Sequence, residues 1–173
     1  VLSTAAHAQK LGQSYVLLES SAAPANTIQR YQKGKHVMAE PAVVPLRSDL
    51  RFNAGTREAI LNNWQSGLDE LAVNVRYNAE VTAIAGSNPD FELTLTNGET
   101  LQSKNVVLAI GLQGNPRKIG VDGESDTSVQ YTLDDPDEYS NENIVVVGAG
   151  DAAIENAVAL ARSNSVIIIN RRD

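Results

Sequence analysis

Cysteine is absent from this sequence of 173 residues. Without thiols the chain itself cannot form disulfides, hold an iron–sulfur cluster or build a thiolate zinc site. Histidine is scarce too, since His7 and His36 are too few for an all-histidine metal site. The sequence lacks a run of about 18 apolar residues, so no membrane span is predicted. Its start shows neither the basic flank nor the apolar stretch of a signal peptide, which together with the missing cysteines favours a cytoplasmic protein.

Positive charge is in deficit, because 14 Lys and Arg face 21 Asp and Glu, which gives a net charge of −7. A nucleic-acid partner is therefore not expected, since such binders present a basic face to phosphates. The composition of 42% hydrophobic and 20% charged residues is typical of a globular chain rather than a disordered one.

Helix and strand patterns alternate along the first half of the chain. Residues 2–11 are predicted to form a helix, and the apolar residues 15–18 a buried strand that ends at Glu19. Residues 20–55 contain repeated proline and glycine breakers and are expected to be irregular. Thr56 is expected to N-cap a second helix, over residues 56–71. The apolar residues on one face of that helix are Ile60, Trp64, Leu68 and Leu71.

The second half contains more strand patterns. Alternating apolar residues with turns at 88–90 and 97–98 predict a small antiparallel meander. Residues 112–140, rich in Gly, Asp, Ser and Pro, are interpreted as a connector. One strand is predicted to begin at residue 73. Further strands are predicted over 81–85, 91–96, 99–103, 106–110, 144–147 and 166–169, and a helix is predicted over 151–162.

The segment Gly148-Ala149-Gly150-Asp151-Ala152-Ala153 fits the pattern G-x-G-x-x-A between a predicted strand and a predicted helix. The first glycine allows a tight turn, the second lets a pyrophosphate approach the backbone, and the small third residue lets helix and strand pack closely. The helix N-terminus then offers N–H groups to the phosphates. The pattern predicts a dinucleotide site; the alternative is a tight strand-to-helix turn without a ligand.

The end of the last strand bears on which dinucleotide is bound. A carboxylate at this position accepts a hydrogen bond from the ribose 2′-OH of NAD, whereas arginine accommodates the 2′-phosphate of NADP. Asn170 stands there, followed by Arg171 and Arg172, which favours NADP. The alternative is a solvated basic pair.

Glu19 ends the first predicted strand and is a candidate acceptor for the ribose hydroxyls of a second dinucleotide. Counting back the usual 18 residues to the third glycine of the fingerprint leads to Val1, so the glycine loop is expected upstream of this chain. The alternative is an ordinary acidic residue at a strand end.

Together these features resemble the pyridine nucleotide–disulfide oxidoreductase superfamily, in particular its thioredoxin reductase-like and ferredoxin–NADP reductase-like branch. The resemblance covers nearly the whole chain, with Ile110 where the family's Ala-Thr-Gly motif has threonine. The stretches that carry it are Tyr-Val-Leu-Leu-Glu at 15–19, Asn-Val-Val-Leu-Ala-Ile-Gly at 105–111, Gly-Ala-Gly-Asp-Ala-Ala-Ile-Glu at 148–155 and Asn-Arg-Arg-Asp at 170–173.

The resemblance implies which residues hold each cofactor. For FAD, Glu19 would bind the ribose, the backbone around Val81 would meet the adenine, and Ala109 to Gly111 would lie beside the flavin nucleotide. Glu155 is either a neighbour of the nicotinamide or, as the simpler alternative, a solvated helix residue. The NADP residues implied are Gly148, Gly150 and Ala153 for the pyrophosphate, and Arg171 and Arg172 for the 2′-phosphate.

The expected fold is therefore an α/β, Rossmann-like two-domain fold that binds FAD and NAD(P), truncated at both ends and carrying a three-stranded antiparallel meander. Residues 1–118 would form part of an FAD domain, 119–140 a connector and 141–173 the start of an NAD(P) domain. The 56–71 helix is expected to pack on a parallel sheet.

The resemblance implies a flavoenzyme that passes hydride from NADPH to FAD and electrons to an unidentified acceptor, with a homodimer as one expected assembly. Residues 125–143 lack the Cys-x-x-Cys of thioredoxin reductases, so dithiol transfer to thioredoxin is not expected. Two alternatives stay open: a non-catalytic nucleotide-binding or interaction module, and a flavin monooxygenase-like enzyme, whose longer signature is not found.

Overall fold

The computed structural model describes residues 1–39, 47–111 and 114–170. The chain divides into two compact units. Unit 1 comprises Val1–Gln29 and His36–Pro116, and unit 2 comprises Arg30–Lys35 and Arg117–Asp173. Within the described residues, no helix combines the length and apolar character needed to cross a membrane.

Unit 1 is built on two helices and a short parallel strand pair. Helix α1 covers Leu2–Lys10 and strand β1 Leu17–Leu18, and the prediction of a helix followed by a buried strand is confirmed. Further along the chain, α3 covers Arg57–Glu70 and β4 covers Val75–Arg76, which pairs with β1 in parallel. The buried core of the unit is formed by Leu2, Ala5, Ala6, Leu17, Leu50 and Leu68.

The described parts of the region 20–55, residues 20–39 and 47–55, contain more secondary structure than the breakers indicated. A short helix α2 forms at Asn26–Gln29, and β2 at His36–Val37 pairs in antiparallel fashion with β3 at Gly55–Thr56. This pairing joins residues far apart in sequence, so no local pattern could indicate it. The predicted N-cap is confirmed, because the Thr56 hydroxyl accepts a hydrogen bond from the backbone N–H of Ala59.

The antiparallel meander is confirmed. Strands β5 (Val81–Ser87), β6 (Asp90–Leu95) and β7 (Thr100–Ser103) follow one another in the sheet with tight turns between them. Leu93 and Leu95 of β6 are buried, while β5 is mostly exposed.

The strand predicted at 106–110 is wrong within the described residues. These residues form neither helix nor strand, and Ile110 is 89% exposed and Val107 66% exposed. Apolar β-branched residues favour a strand, but a strand forms only where a neighbouring strand supplies hydrogen-bond partners. None of the described strands pairs with this segment.

Unit 2 contains one β–α–β unit, as predicted. Strand β8 (Asn143–Val147) pairs in parallel with β9 (Ser165–Ile169), and α4 (Asp151–Leu160) connects them. Helix α4 buries Ala157, Ala159 and Leu160. Ahead of β8, the predicted connector contains a single 3-10 turn at Pro136–Glu138 in its described part.

Candidate dinucleotide-binding sites

Gly148 begins the turn that leads from β8 into α4. Its φ of 118° lies in a region that L-residues with a side chain rarely adopt. Its N–H donates to the carbonyl of Ile169 at 2.8 Å, which holds the turn against the end of β9. A side chain here would therefore strain the backbone, and the predicted role of the first glycine fits the structure.

Gly150 is different, because nothing in the protein itself requires a glycine there. Its φ of −78° and ψ of 169° are open to any residue. A Cβ placed on Gly150 would meet no atom within 4 Å. Gly150 is the N-cap of α4 and offers no side-chain hydrogen bond to the first turn, whose N–H groups lack partners within the helix. The turn therefore leaves room, and hydrogen-bond donors, for an anionic ligand.

Ala153 lies one turn into α4, facing the glycine turn. A Cβ on Gly148 would lie 4.0 Å from the Cβ of Ala153, which is ordinary van der Waals contact. Ala153 therefore lies beside Gly148, which is the place that the fingerprint gives its small third residue.

Asn170 directly follows β9 and is exposed. Because Val147 is in register with Ile169, the glycine turn and Asn170 lie at the same edge of the parallel pair. The residues predicted to bind the 2′-phosphate, Arg171 and Arg172, lie outside the described residues.

Glu19 lies at the carboxyl end of β1, held by the chain segment that follows β4. Its N–H donates to the carbonyl of Arg76 at 3.0 Å, and its carbonyl accepts from the N–H of Ala79 at 2.9 Å. The carboxylate atom Oε1 accepts from the N–H of Ser21 at 2.9 Å and from the hydroxyl of Ser20 at 3.3 Å. Among the described residues no hydrogen bond to Oε2 is present, so this oxygen is available to a ribose hydroxyl.

Val81 begins β5 two residues after Ala79, so the structure brings Glu19 and the segment before Val81 together. Ala109 and Gly111, the third predicted part of the FAD site, have, among the residues that the structure describes, no hydrogen bond of the kind that joins Ala79 to Glu19. Ala109 and Gly111 are exposed, and no hydrogen bond among the described residues links them to Glu19 or Val81.

Arg76 and Glu99 form a two-pronged ion pair next to the Glu19 strand end. The two guanidinium nitrogens lie 2.8 and 2.6 Å from the two carboxylate oxygens. This hydrogen bonding raises the pKa of Arg76 and lowers the pKa of Glu99. Burial raises the pKa of the adjacent Tyr77 phenol, and the charges of Asp69 and Glu19 raise it further. The ion pair connects the β6–β7 hairpin to Arg76, whose backbone carbonyl accepts the hydrogen bond from the Glu19 N–H.

Sequence reasoning missed the role of residues 30–35, which belong to unit 2. The Lys35 ammonium lies 2.5 Å from a carboxylate oxygen of Glu155 on α4 and 5.0 Å from the ring centre of Tyr31. Glu155 is therefore ion-paired rather than merely solvated. The signal was present in the sequence, because this acidic chain concentrates Arg30, Lys33 and Lys35 within six residues.

Comparison with known proteins shows that the chain is similar to a protein family over nearly its whole length. The family model described as pyridine nucleotide-disulphide oxidoreductase matches residues 2–173. A ferredoxin–NADP reductase of Ignicoccus hospitalis is 38% identical over 78 residues, which is 44% of this chain and 26% of that protein. A thioredoxin reductase of Helicobacter pylori is 31% identical over 141 residues, which is 73% of this chain and 43% of that protein.

Solved structures share the fold at low sequence identity. The bacillithiol disulfide reductase of Bacillus cereus superimposes with a TM-score of 0.82 at 21% identity, over 98% of this chain and 55% of that one. The thioredoxin reductase of Lactococcus lactis gives a TM-score of 0.74 at 21% identity, over 99% of this chain and 53% of that one.

The chain thus spans about half the length of these structures, and less than half the length of both curated relatives. It has the predicted α/β fold of FAD- and NAD(P)-binding oxidoreductases, and the family model covers all but the first residue. The chain belongs to the pyridine nucleotide-disulphide oxidoreductase family.

Proposed function

We propose that this chain is the cofactor-binding part of a flavin-dependent NADPH oxidoreductase. Residues 1–118 would bind FAD and residues 141–173 would bind NADPH, with 119–140 as the connector. The two cofactors would supply the redox chemistry, in which hydride passes from NADPH to FAD and electrons continue to an acceptor. The residues of the chain would bind and orient these groups, so no catalytic acid or base is required among them.

The observation that carries the proposal is the open volume at Gly150. Its backbone conformation suits any residue, and no neighbouring atom would touch a side chain there. A glycine that the fold does not need is explained by a ligand that approaches the backbone, as a pyrophosphate does in this family. Gly148 and Ala153 supply the tight turn and the close helix packing beside it.

For NADP rather than NAD, the support is the sequence after β9. Asn170 replaces the carboxylate that would accept from a ribose 2′-OH, and Arg171 and Arg172 follow it. Guanidinium groups bind phosphate through paired, charge-assisted hydrogen bonds. The names of the relatives, ferredoxin–NADP reductase among them, point to the same coenzyme.

For FAD, the support is the strand end at Glu19. The carboxylate is oriented by Ser20 and Ser21 through one oxygen and keeps the other for a hydroxyl. The backbone that follows Ala79 would meet the adenine at Val81, and Ala109 and Gly111 would lie beside the flavin nucleotide when the cofactor is bound.

The test uses the full-length protein that contains this chain, together with the 173-residue chain itself. The proposal expects a flavin absorbance band in the full-length protein that is bleached by NADPH under anaerobic conditions. It also expects saturable NADPH binding to the 173-residue chain in a calorimetric titration. A colourless full-length protein would contradict the FAD assignment, and the absence of NADPH binding to both would contradict the proposal as a whole.

A further inference from the structure

Tyr77 lies opposite Glu19, just beyond the parallel pair of β1 and β4. Leu18 is in register with Arg76 in the last pair of the two strands, so the next residues along the chain, Glu19 and Tyr77, face each other. Two backbone hydrogen bonds fix this arrangement. The N–H of Glu19 donates to the carbonyl of Arg76 at 3.0 Å, and the N–H of Ala79 donates to the carbonyl of Glu19 at 2.9 Å.

The Tyr77 side chain lies on the same face of the strand pair as the Glu19 side chain. Side chains alternate between the two faces along a strand, so Tyr77 shares a face with Val75. Val75 packs against the buried core that α1 and α3 help to form, whereas Arg76 reaches Glu99 of the hairpin on the other face. The Tyr77 ring is therefore on the α3 side, beside the Glu19 carboxylate.

The Tyr77 side chain is half-buried, yet among the described residues no hydrogen bond to its hydroxyl is present. Burial raises the pKa of the phenol, and the charges of Asp69 on α3 and of Glu19 raise it further. The ring is thus neutral at physiological pH. It forms a partly covered aromatic surface next to a carboxylate that keeps one oxygen for a ligand.

We propose that Tyr77 binds the adenosine half of FAD, with its ring packed against the adenine while Glu19 holds the ribose. The inference rests on the proposed FAD site of unit 1 and adds a side chain to it that lies outside the motifs of the sequence. Adenine is bonded directly to the ribose, and adjacent strands are only about 4.8 Å apart. A base whose ribose is bound at Glu19 is therefore within reach of the ring opposite, and an aromatic ring offers a purine a flat apolar surface.

The test is a titration with FAD of the full-length protein that contains this chain, after its flavin has been removed. Tyr77→Leu removes the ring and keeps an apolar side chain. It should weaken FAD binding about fivefold to a hundredfold, the range for contacts between aromatic rings and bases. Tyr77→Phe keeps the ring and should bind FAD as tightly as the wild type.

A second measurement separates a contact with FAD from a structural role. FAD raises the melting temperature by an amount that depends on its affinity for the folded protein. This rise should be smaller in Tyr77→Leu than in the wild type and Tyr77→Phe, whereas a purely structural loss would lower the melting temperature of the flavin-free protein and leave the rise unchanged.

Tyr139→Leu is the matched control. Tyr139 is a half-buried tyrosine of unit 2 whose hydroxyl donates to Gln130 at 3.0 Å, and its loss should leave FAD affinity unchanged. At saturating FAD, the rate at which NADPH reduces the flavin should be the same in Tyr77→Leu and in the wild type, because the adenosine takes no part in hydride transfer.

Wild-type FAD affinity in Tyr77→Leu would overturn the inference, and so would a Tyr77→Phe variant as weak as Tyr77→Leu. Both outcomes leave the proposed function intact, because the wild-type protein still binds FAD. If the wild-type full-length protein binds no FAD, the proposed FAD site fails, and the role of Tyr77 fails with it.

Discussion

Gly148 and Gly150 stand two residues apart in one turn, yet a side chain would meet a different obstacle at each. At Gly148 the obstacle lies in the backbone, because a φ of 118° is strained for any other residue. At Gly150 the protein presents no obstacle, so the expected one is the ligand. This difference can be tested, because it separates folding from binding.

We expect Gly150→Ser to keep the thermal stability and to weaken NADPH binding by tenfold or more. Serine is at least as good an N-cap as glycine, but its side chain would occupy the volume that a pyrophosphate needs. Gly148→Ala should instead destabilise the protein by about 1–3 kcal/mol through backbone strain. Thermal melts and calorimetric titrations check both variants. Full NADPH affinity in a folded Gly150→Ser variant would contradict the ligand site.

The coenzyme preference belongs to the residue scale as well. The complete enzyme should prefer NADPH to NADH, and Arg171→Ala with Arg172→Ala should weaken NADPH binding while leaving NADH binding nearly unchanged. Hydrogen bonds to charged groups contribute about 1.5–3 kcal/mol, so losing even one should weaken binding about tenfold to a hundredfold.

Arg162→Ala, an exposed arginine of the same unit, is the matched control for lost positive charge. An equal loss for both coenzymes in the paired arginine variant would mean that the two residues act structurally. A wild-type preference for NADH would show that the interpretation of this strand end is wrong.

At the scale of elements, the meander and the β–α–β unit were predictable because their signals are local. Each hairpin joins adjacent segments through a short turn, and α4 directly follows the glycine turn. Elements whose formation depends on residues distant in the sequence were not predicted correctly. The β2–β3 pair was missed, and the apolar segment 106–110 was wrongly predicted as a strand.

The loop 119–131 is organised around one carboxylate. Glu124 accepts hydrogen bonds from the N–H groups of Ile119 and Gly120, both at 2.7 Å, and from the Tyr131 hydroxyl at 2.5 Å. With the Tyr131 hydrogen bond as the largest cause, these bonds lower the pKa of Glu124 from 4.5 to about 2. The hydrogen bonds that hold the loop together are therefore expected to be strongest when the Glu124 carboxyl is ionised.

Because the folded-state pKa lies below the unfolded value of 4.5, the stabilisation by Glu124 is complete above that value. It is lost as the pH falls towards about 2. Glu124→Gln should therefore melt at a lower temperature than the wild type at pH 7, and the gap should close as the pH falls through this window. Asp122→Asn removes the same charge from the same loop and serves as the control. A gap that does not change with pH would contradict this role of Glu124.

At the scale of the whole molecule, the candidate cofactor residues fall into separate units. Glu19 and Val81 belong to unit 1, whereas Gly148, Gly150 and Ala153 belong to unit 2. Substitutions at sites that share no partners usually act independently. The two proposed binding functions should therefore be separable by single substitutions.

In the full-length protein, Glu19→Ala should weaken FAD retention about tenfold to a hundredfold and leave NADPH affinity unchanged. Gly150→Ser should show the opposite pattern. Flavin absorbance after dialysis and NADPH titration measure the two effects, and Glu70→Ala is the control for loss of an exposed acid from unit 1. Unchanged flavin content in Glu19→Ala would rule out its assignment to the ribose.

The sequence by itself determined the elements and motifs whose signals are local: the three longer helices with their apolar faces, the hairpins, the glycine turn and the acidic or basic strand ends. Short-range sterics and hydrophobic periodicity govern these features, so they can be recognised without a partner. Only the tertiary structure decided that β1 pairs with β4 and β2 with β3, that Ala79 holds the carbonyl of Glu19, and that Lys35 reaches Glu155. The last two contacts join residues 60 and 120 positions apart, and all of these contacts depend on how the chain packs rather than on any local preference.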